Sequence, residues 1–404
     1  MKTERIFDLN AYITTKEVTV IESVKSNRKG YENCFEVITD STIFSPEGGG
    51  QNADRGFFDD VRVVDVQEFD GELIHFLEKS FTVGQKVTEK IDFELRLRRM
   101  QNHDAEHLLC GLIHTRFGYN NVGFHITETE DENGFVTMET TMDVDGPLSA
   151  KDLADIEKHA NRIIAENVRV YALLPSAEEA KNMVYRSKME ISEGLRLVVI
   201  EGYDVCACCA PCLRATGEMQ VVKILDAMPH RGGMRLNIVA GIDAIKDYSM
   251  LHGEIKDMMK ILSAKRDECG KTLEAHEEKA LEMHETIVTL KKEITSLYKD
   301  NLLRVIDESE NKYIAFFADT LDEVQARTLI NETIETKECV LIVLFDKKDD
   351  GYRFVAGKNA KLTDVSLKEL AVKMREGLAA RGGGSEQMIQ GSINSDRKSI
   401  EHFF

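Results

Sequence analysis

The sequence predicts an α+β protein of several domains: a small N-terminal β-barrel, a mixed α/β domain, a long helix and a C-terminal α/β domain. Three observations carry this. The first ninety-five or so residues alternate apolar and polar in short runs broken by Gly, Asn and Asp turns. A proline-free stretch from Ile255 to Asn301 keeps a three-four apolar spacing. The last hundred residues return to strands alternating with helices.

The barrel strands are VTVIES, YENCFEVI, VRVVDVQEF and ELIHFLE, with Gly48-Gly49-Gly50 in one connecting loop. This part is expected to span residues 1–95. From Arg99 to Phe117, Met100, Leu108, Leu109, Leu112 and Ile113 recur at helical spacing. A strand at FVTMETTM follows, then a helix over about 149–166 that opens on Ser149 with Asp152 three residues later. Strands at LRLVVIEG and MQVVKILDAM complete an α/β domain over 96–247. The helical stretch is assigned 248–303, with Arg266, Gly270 and His276 weakening its middle, and the C-terminal domain 304–404.

The chain has 404 residues, 42% hydrophobic and 30% charged, which is a globular composition. No apolar run reaches the eighteen or so residues of a membrane helix, and the N-terminus lacks a signal-peptide core, so a cytoplasmic protein is expected. The net charge of −19 argues against broad, non-specific nucleic-acid binding. Local basic faces are sought instead in Arg96, Arg98 and Arg99, and among Lys358, Lys361, Lys368, Lys373, Arg375 and Arg381.

Four of eight cysteines crowd into CACCAPC, Cys206 to Cys212, a clustering that in a large chain points to metal rather than disulfides. His103 and His107 in HDAEH lie one helical turn apart on one face, where two imidazoles can grip one ion. Cys208 and Cys212 supply a CxxxC pair of soft donors, and imidazole with thiolate indicates zinc. Cys206 and Cys209 compete as ligands, and a knot of Cys206, Cys208, Cys209 and Cys212 alone is the lesser alternative. A metalloprotease is set aside, because Asp104 stands where its helix carries the catalytic Glu.

The stretch RRMQNHDAEHLLCGLIHTRFGYNNVGFHI, with the later CCAPCLRATGEM, resembles the editing domain of alanyl-tRNA synthetases and the AlaX proteins. SPEGGGQNADRG resembles that family's glycine-rich editing loop, and GKNAKLTDVSLKELAVKMREGLAARGGGS its DHH-associated C-terminal domain. The family pattern is HxxxH, then CxxxH and TGE. Registering Thr216-Gly217-Glu218 on TGE puts Cys208 on the family cysteine and Cys212 on its last histidine.

The resemblance implies a zinc-dependent, free-standing editor of the long AlaX type, held by His103, His107, Cys208 and Cys212, that removes Ser or Gly from mischarged alanine tRNA. Charging of tRNA is not expected. The Gly48–Gly50 loop and Gln51 would meet the substrate, and Thr42 would sense its amino-acid side chain. His125 is placed to line the pocket, while His230 is assigned no role.

Arg381-Gly382-Gly383-Gly384-Ser385 is read as a phosphate-cradling loop before a helix, a candidate tRNA contact without the GK[ST] that ATP binding needs. A homodimer is expected through the long helix, the C-terminal domain, or both. Two departures, Cys212 for histidine and Asp104 for a small hydroxyl residue, keep a second reading open: a zinc-stabilised tRNA-binding or regulatory protein with weakened hydrolysis.

Overall fold

The computed structural model describes residues 3–132, 134, 136–187, 194–348 and 351–404. They form two compact units, Met1–Asp257 and Met258–Phe404.

In the first unit, strands Thr15–Lys25, Phe35–Thr39, Glu72–Leu77, Val61–Phe69, Gly56–Phe58 and Lys86–Ile91 close into a barrel in that order. Alternation along each strand sends Val18, Val20, Val37, Val63, Val66 and Val87 inward. Polar groups are also enclosed. Thr42 Oγ1 lies 2.9 Å from His75 Nε2 and 3.2 Å from Glu89 Oε2, and Ile43 N–H donates to the same Glu89 oxygen at 2.8 Å.

Helix α1, Phe93–Phe117, starts on an Asp92 cap and ends at Gly118 in the left-handed region. Every residue from Arg98 to Ile113 is buried, so no solvent face survives over four turns. It packs on helix α2, Ala150–Glu166, and on strands of two sheets. One sheet runs Val222–His230, Gly233–Ala240, Val136–Val144 and Asn121–Glu130; the other joins Val170–Leu173, Leu197–Ile200 and Asp204–Ala207. The expected strand FVTMETTM is the third of the first sheet; its first residue, Phe135, lies outside the described residues. The Ser149 side chain and Asp152 close a capping box on α2, as their spacing predicts.

The long apolar line is not one helix. Gly241–Leu262 and Cys269–Glu308 are separate helices, and Ser263 between them takes a positive φ of 52°. The interruption falls around Arg266, upstream of Gly270 and His276, both of which remain helical. Leu302 at the far end of the second helix is fully buried, whereas Leu273, Met283, Ile287, Leu290 and Leu297 are exposed.

The second unit holds a five-stranded sheet ordered Tyr313–Ala318, Val340–Lys348, Gly351–Lys358, Met388–Ile393 and Arg381–Gly384. The run VLIVLF is apolar throughout because both faces are covered. Val340, Ile342 and Leu344 meet helix Leu367–Leu378, while Leu341, Val343 and Phe345 meet helix Glu323–Ile334. The glycine run is therefore not a loop before a helix. Arg381–Gly384 is an edge strand paired antiparallel with Met388–Ile393, and the final helix begins only at Arg397.

The polar group inside the barrel sets a pH dependence. Burial pushes the Glu89 carboxyl up to about 8 and lowers His75 to about 4. The folded state thus holds the Glu89 proton where the unfolded chain releases it. Stability from this group is full below its ordinary carboxylate range and is lost as pH rises through 8. Thermal melts of Glu89→Gln against the parent should diverge with rising pH, the variant gaining on the order of a few kcal/mol by pH 9. Parallel pH profiles would refute the assignment.

Candidate metal centre and cleft

Two arginines of α1, Arg96 and Arg99, position the glycine loop, and a third, Arg98, ties the helix elsewhere. Arg96 grips Asp54 with two nitrogens, donates to Ala11 O at 2.9 Å, and also reaches Ile43 O. Arg99 is bidentate on Glu128, at 2.6 and 2.8 Å, and donates to Ala53 O at 2.8 Å. Arg98 pairs with Asp243 at 2.7 Å and donates to Val136 O. None of the three forms a basic face, contrary to the expectation from their clustering. All are buried and matched by carboxylates, because α1 has no solvent side.

So held, Gly48–Gln51 closes a tight turn, with Gly48 N–H on Gln51 O at 3.0 Å and the reciprocal bond at 3.1 Å. Gly49 and Gly50 have φ of 62° and 85°. A Cβ on Gly50 would lie 2.4 Å from Phe124 O, so this position admits only glycine. The turn delivers Gln51, which is buried, to His103: Oε1 lies 3.1 Å from Nδ1. With Nδ1–H donating to Gln51, the other nitrogen, Nε2, presents its lone pair.

That nitrogen faces Cys208 Sγ at 3.5 Å. His103 and His107 stack one turn apart, ring centres 4.9 Å apart. The donor atoms of His103, His107 and Cys208 all lie within 4.8 Å of one another. Ligands at about 2.0 and 2.3 Å on a tetrahedral zinc stand about 3.5 Å apart, which is the observed nitrogen–sulfur separation. Burial raises the Cys208 thiol well above its ordinary value, with Cys209 adding to the shift, so its thiolate needs a cation beside it. The donors fit zinc.

Cys212 stands outside this cluster. It is buried in the apolar core, with Arg196 Nη2 at 3.9 Å, and burial pushes its thiol up to about 12. Cys206 joins a different grouping with His107 and Asp204, and Arg186 holds both Asp204 oxygens at 2.7 Å. Cys209 is exposed and abuts the glycine turn, 3.3 Å from where a Gly48 Cβ would sit. Asp104 turns from the cluster to accept Leu213 N–H at 2.7 Å, and burial pushes its carboxyl up to about 7.

The cluster opens into a cleft of about 500 Å³, lined among others by Gly49, Glu106, Asn121, Arg186 and Arg196. Thr42 is not on it; its hydroxyl is spent inside the barrel. Nor is His125, because strand alternation turns Phe124 toward His103, ring centres 4.5 Å apart, and His125 outward. Thr216 of the TGE element is buried and bonds Ile163 O and Val168 N, so that element braces α2. Arg196 escaped notice although a lone charge inside the apolar run LRLVVI was its signal. Glu106, 3.4 Å from His107 Nδ1, carried none beyond its neighbour.

No family model matches the chain. An alanine–tRNA ligase of Ignicoccus hospitalis is 30% identical over 305 residues, covering 73% of this chain and 32% of that protein. One of Methanococcus vannielii is 27% identical over 99% of this chain and 43% of its own length. The alanyl-tRNA editing protein Aarsd1-B of Xenopus laevis is 23% identical over 93% of this chain and 89% of its own. Over nearly its whole length the chain is thus similar both to an alanyl-tRNA editing protein and to part of an alanine–tRNA ligase. It spans about two fifths or less of the ligases it matches. The C-Ala domain of Aquifex aeolicus alanyl-tRNA synthetase aligns with 22% of the chain at 21% identity and a TM-score of 0.20, too low to bear on the fold.

If Arg96 anchors the glycine loop, Arg96→Ala should cost about 3–5 kcal/mol, because Asp54 is left buried and unpaired. Removing both charges, Arg96→Met with Asp54→Leu, should recover part of that. Denaturant melts check it; a cost below about 1 kcal/mol would show that the pair is not the anchor.

Proposed function

We propose that this protein is a zinc-dependent trans-editing deacylase that hydrolyses the ester of Ser or Gly wrongly attached to alanine tRNA. One observation carries the reading: a His₂Cys donor set at zinc-like separation, seated in a cleft against a glycine turn. The names of the relatives support the substrate class.

Zinc bound there supplies Lewis-acid attraction for the aminoacylated 3′ end. The rest is done by the chain. Gln51 keeps His103 in the tautomer that presents Nε2. Gly49 leaves the approach to His103 unobstructed, since a Cβ there would come within 3.7 Å of the ring. Phe124 closes one side of the imidazole to water. Arg186 and Arg196 line the cleft and lend it positive charge, while their donors are held by Asp204 and by backbone carbonyls.

In the second unit, Arg353, Arg375, Arg381 and Gly382 surround a cavity of about 960 Å³, to which we assign tRNA backbone contacts. The edge strand Arg381–Gly384 presents a bare backbone to such a partner. The exposed stripe on helix Cys269–Glu308 supports a homodimer. Among the described residues no helix is long and apolar enough to cross a membrane. We assign the protein to the cytoplasm, where its substrate is made.

Purified protein should release Ser or Gly from mischarged alanine tRNA while sparing Ala-tRNA. His103→Ala should lower the rate by more than the 10- to 100-fold typical of losing an outer partner of a metal ligand. Gln51→Leu should fall within that range. A zinc-loaded protein that binds the tRNA without deacylating it would replace this reading with that of a tRNA-binding regulator.

A further inference from the structure

We propose that the zinc is held by three protein ligands, His103, His107 and Cys208, and that Arg196 and Asp104 hold Cys212 out of its coordination shell, leaving the fourth position open to the cleft. This rests on the zinc reading above and departs from the four-ligand set that the CxxxC spacing suggests.

Ligands sharing one tetrahedral zinc lie about 3.5–3.8 Å from each other. The donors of His103, His107 and Cys208 fall within 4.8 Å of one another, and among the described residues no other thiol, imidazole or carboxylate joins all three. Cys212 is therefore not preplaced as a ligand, although only three residues separate it from Cys208.

Its position has a cause. The buried Arg196 guanidinium donates to Cys208 O at 2.9 Å and Ala210 O at 2.6 Å, and its Nε donates to Asp8 O at 2.8 Å. Its remaining nitrogen faces Cys212 Sγ at 3.9 Å. One residue on, the Asp104 carboxylate accepts Leu213 N–H at 2.7 Å. The loop is thus tied at residues 208, 210 and 213, with Cys212 packed into the apolar core between two ties. Turning its sulfur to the metal would give up the Arg196 contact, while the bonds at Cys208, Ala210 and Leu213 hold the backbone on either side in place.

The other sulfurs are no better placed. Cys206 stands with His107 beside Asp204, whose oxygens Arg186 already grips. Cys209 lies against the glycine turn. A fourth position unfilled by protein distinguishes zinc sites that act on substrate from closed structural ones. The second thiolate, which would weaken the Lewis acid, is withheld.

X-ray absorption at the zinc edge of the full-length protein counts sulfur ligands directly, and needs no variant. One sulfur per zinc is expected; two would overturn the proposal. Replacement by cobalt(II) gives a second measure through thiolate-to-cobalt absorption. Cys212→Ser should keep one metal per chain and the parent intensity, and Cys208→Ser should lose the band. A Cys212→Ser protein that folds by circular dichroism but halves the band would overturn the proposal. A parent chain that binds neither zinc nor cobalt would overturn the metal reading itself, and a two-sulfur site only the present inference.

Discussion

Burial of α1 on all sides is the constraint from which the site follows. A helix that buries Arg96, Arg98, Arg99, Asp104 and Glu106 cannot be enclosed unless each charge finds a partner. The partners come from remote segments: Asp54 and Ala53 of the glycine loop, Glu128 of the adjoining sheet, and Asp243 at the start of helix Gly241–Leu262. Desolvation thus becomes specificity. The loop cannot shift without leaving a guanidinium unpaired, and the turn that presents Gln51 to His103 is fixed as a consequence.

The same logic operates on the opposite side of the cluster. Arg196 immediately precedes the strand Leu197–Ile200 and gives donors to backbone carbonyls of the cysteine loop. A guanidinium suits this because its planar fork reaches several carbonyls at once, where a lysine would offer one point charge. Asp104 ties down the next residue from α1 itself. Two loops that chain connectivity leaves independent, residues 45–54 and 208–213, are thereby both referred to one helix. The His103–Cys208 separation is set by that common reference.

Much of this was legible in the sequence, and the remainder was not for identifiable reasons. The HxxxH register, the Ser149–Asp152 cap and the alternating barrel strands depend on local periodicity, which a sequence states outright. The arginines of α1 defeat local reading because a charge cluster looks alike whether it faces solvent or buried carboxylates 29 to 145 residues away. Arg381–Gly384 reads as a loop in sequence because a glycine run does not reveal that Met388–Ile393 will pair with it. Thr42 lies close in sequence to the glycine loop, yet the barrel turns its hydroxyl to His75. His125 was decided by a one-residue register that only pairing with Val136–Val144 fixes.

Where the positive charge goes also bears on how an acidic chain meets an anionic partner. Arg96, Arg98, Arg99, Arg186 and Arg196 are consumed by internal carboxylates and carbonyls, so the excess acid of a −19 chain is carried largely on its surface. In the second unit Lys358 is spent on the carbonyls of Leu362 and Val365, and Lys361 on Glu338. In the same unit Arg375 and Arg381 lie beside the C-terminal cavity, where Arg353 is already paired with Asp346. Diffuse attraction to phosphates is absent from such a surface, and counter-ion release must come from few contacts. For the tRNA proposed above as substrate, recognition by shape at the His103–His107–Cys208 cluster is the mode that this distribution of charge permits.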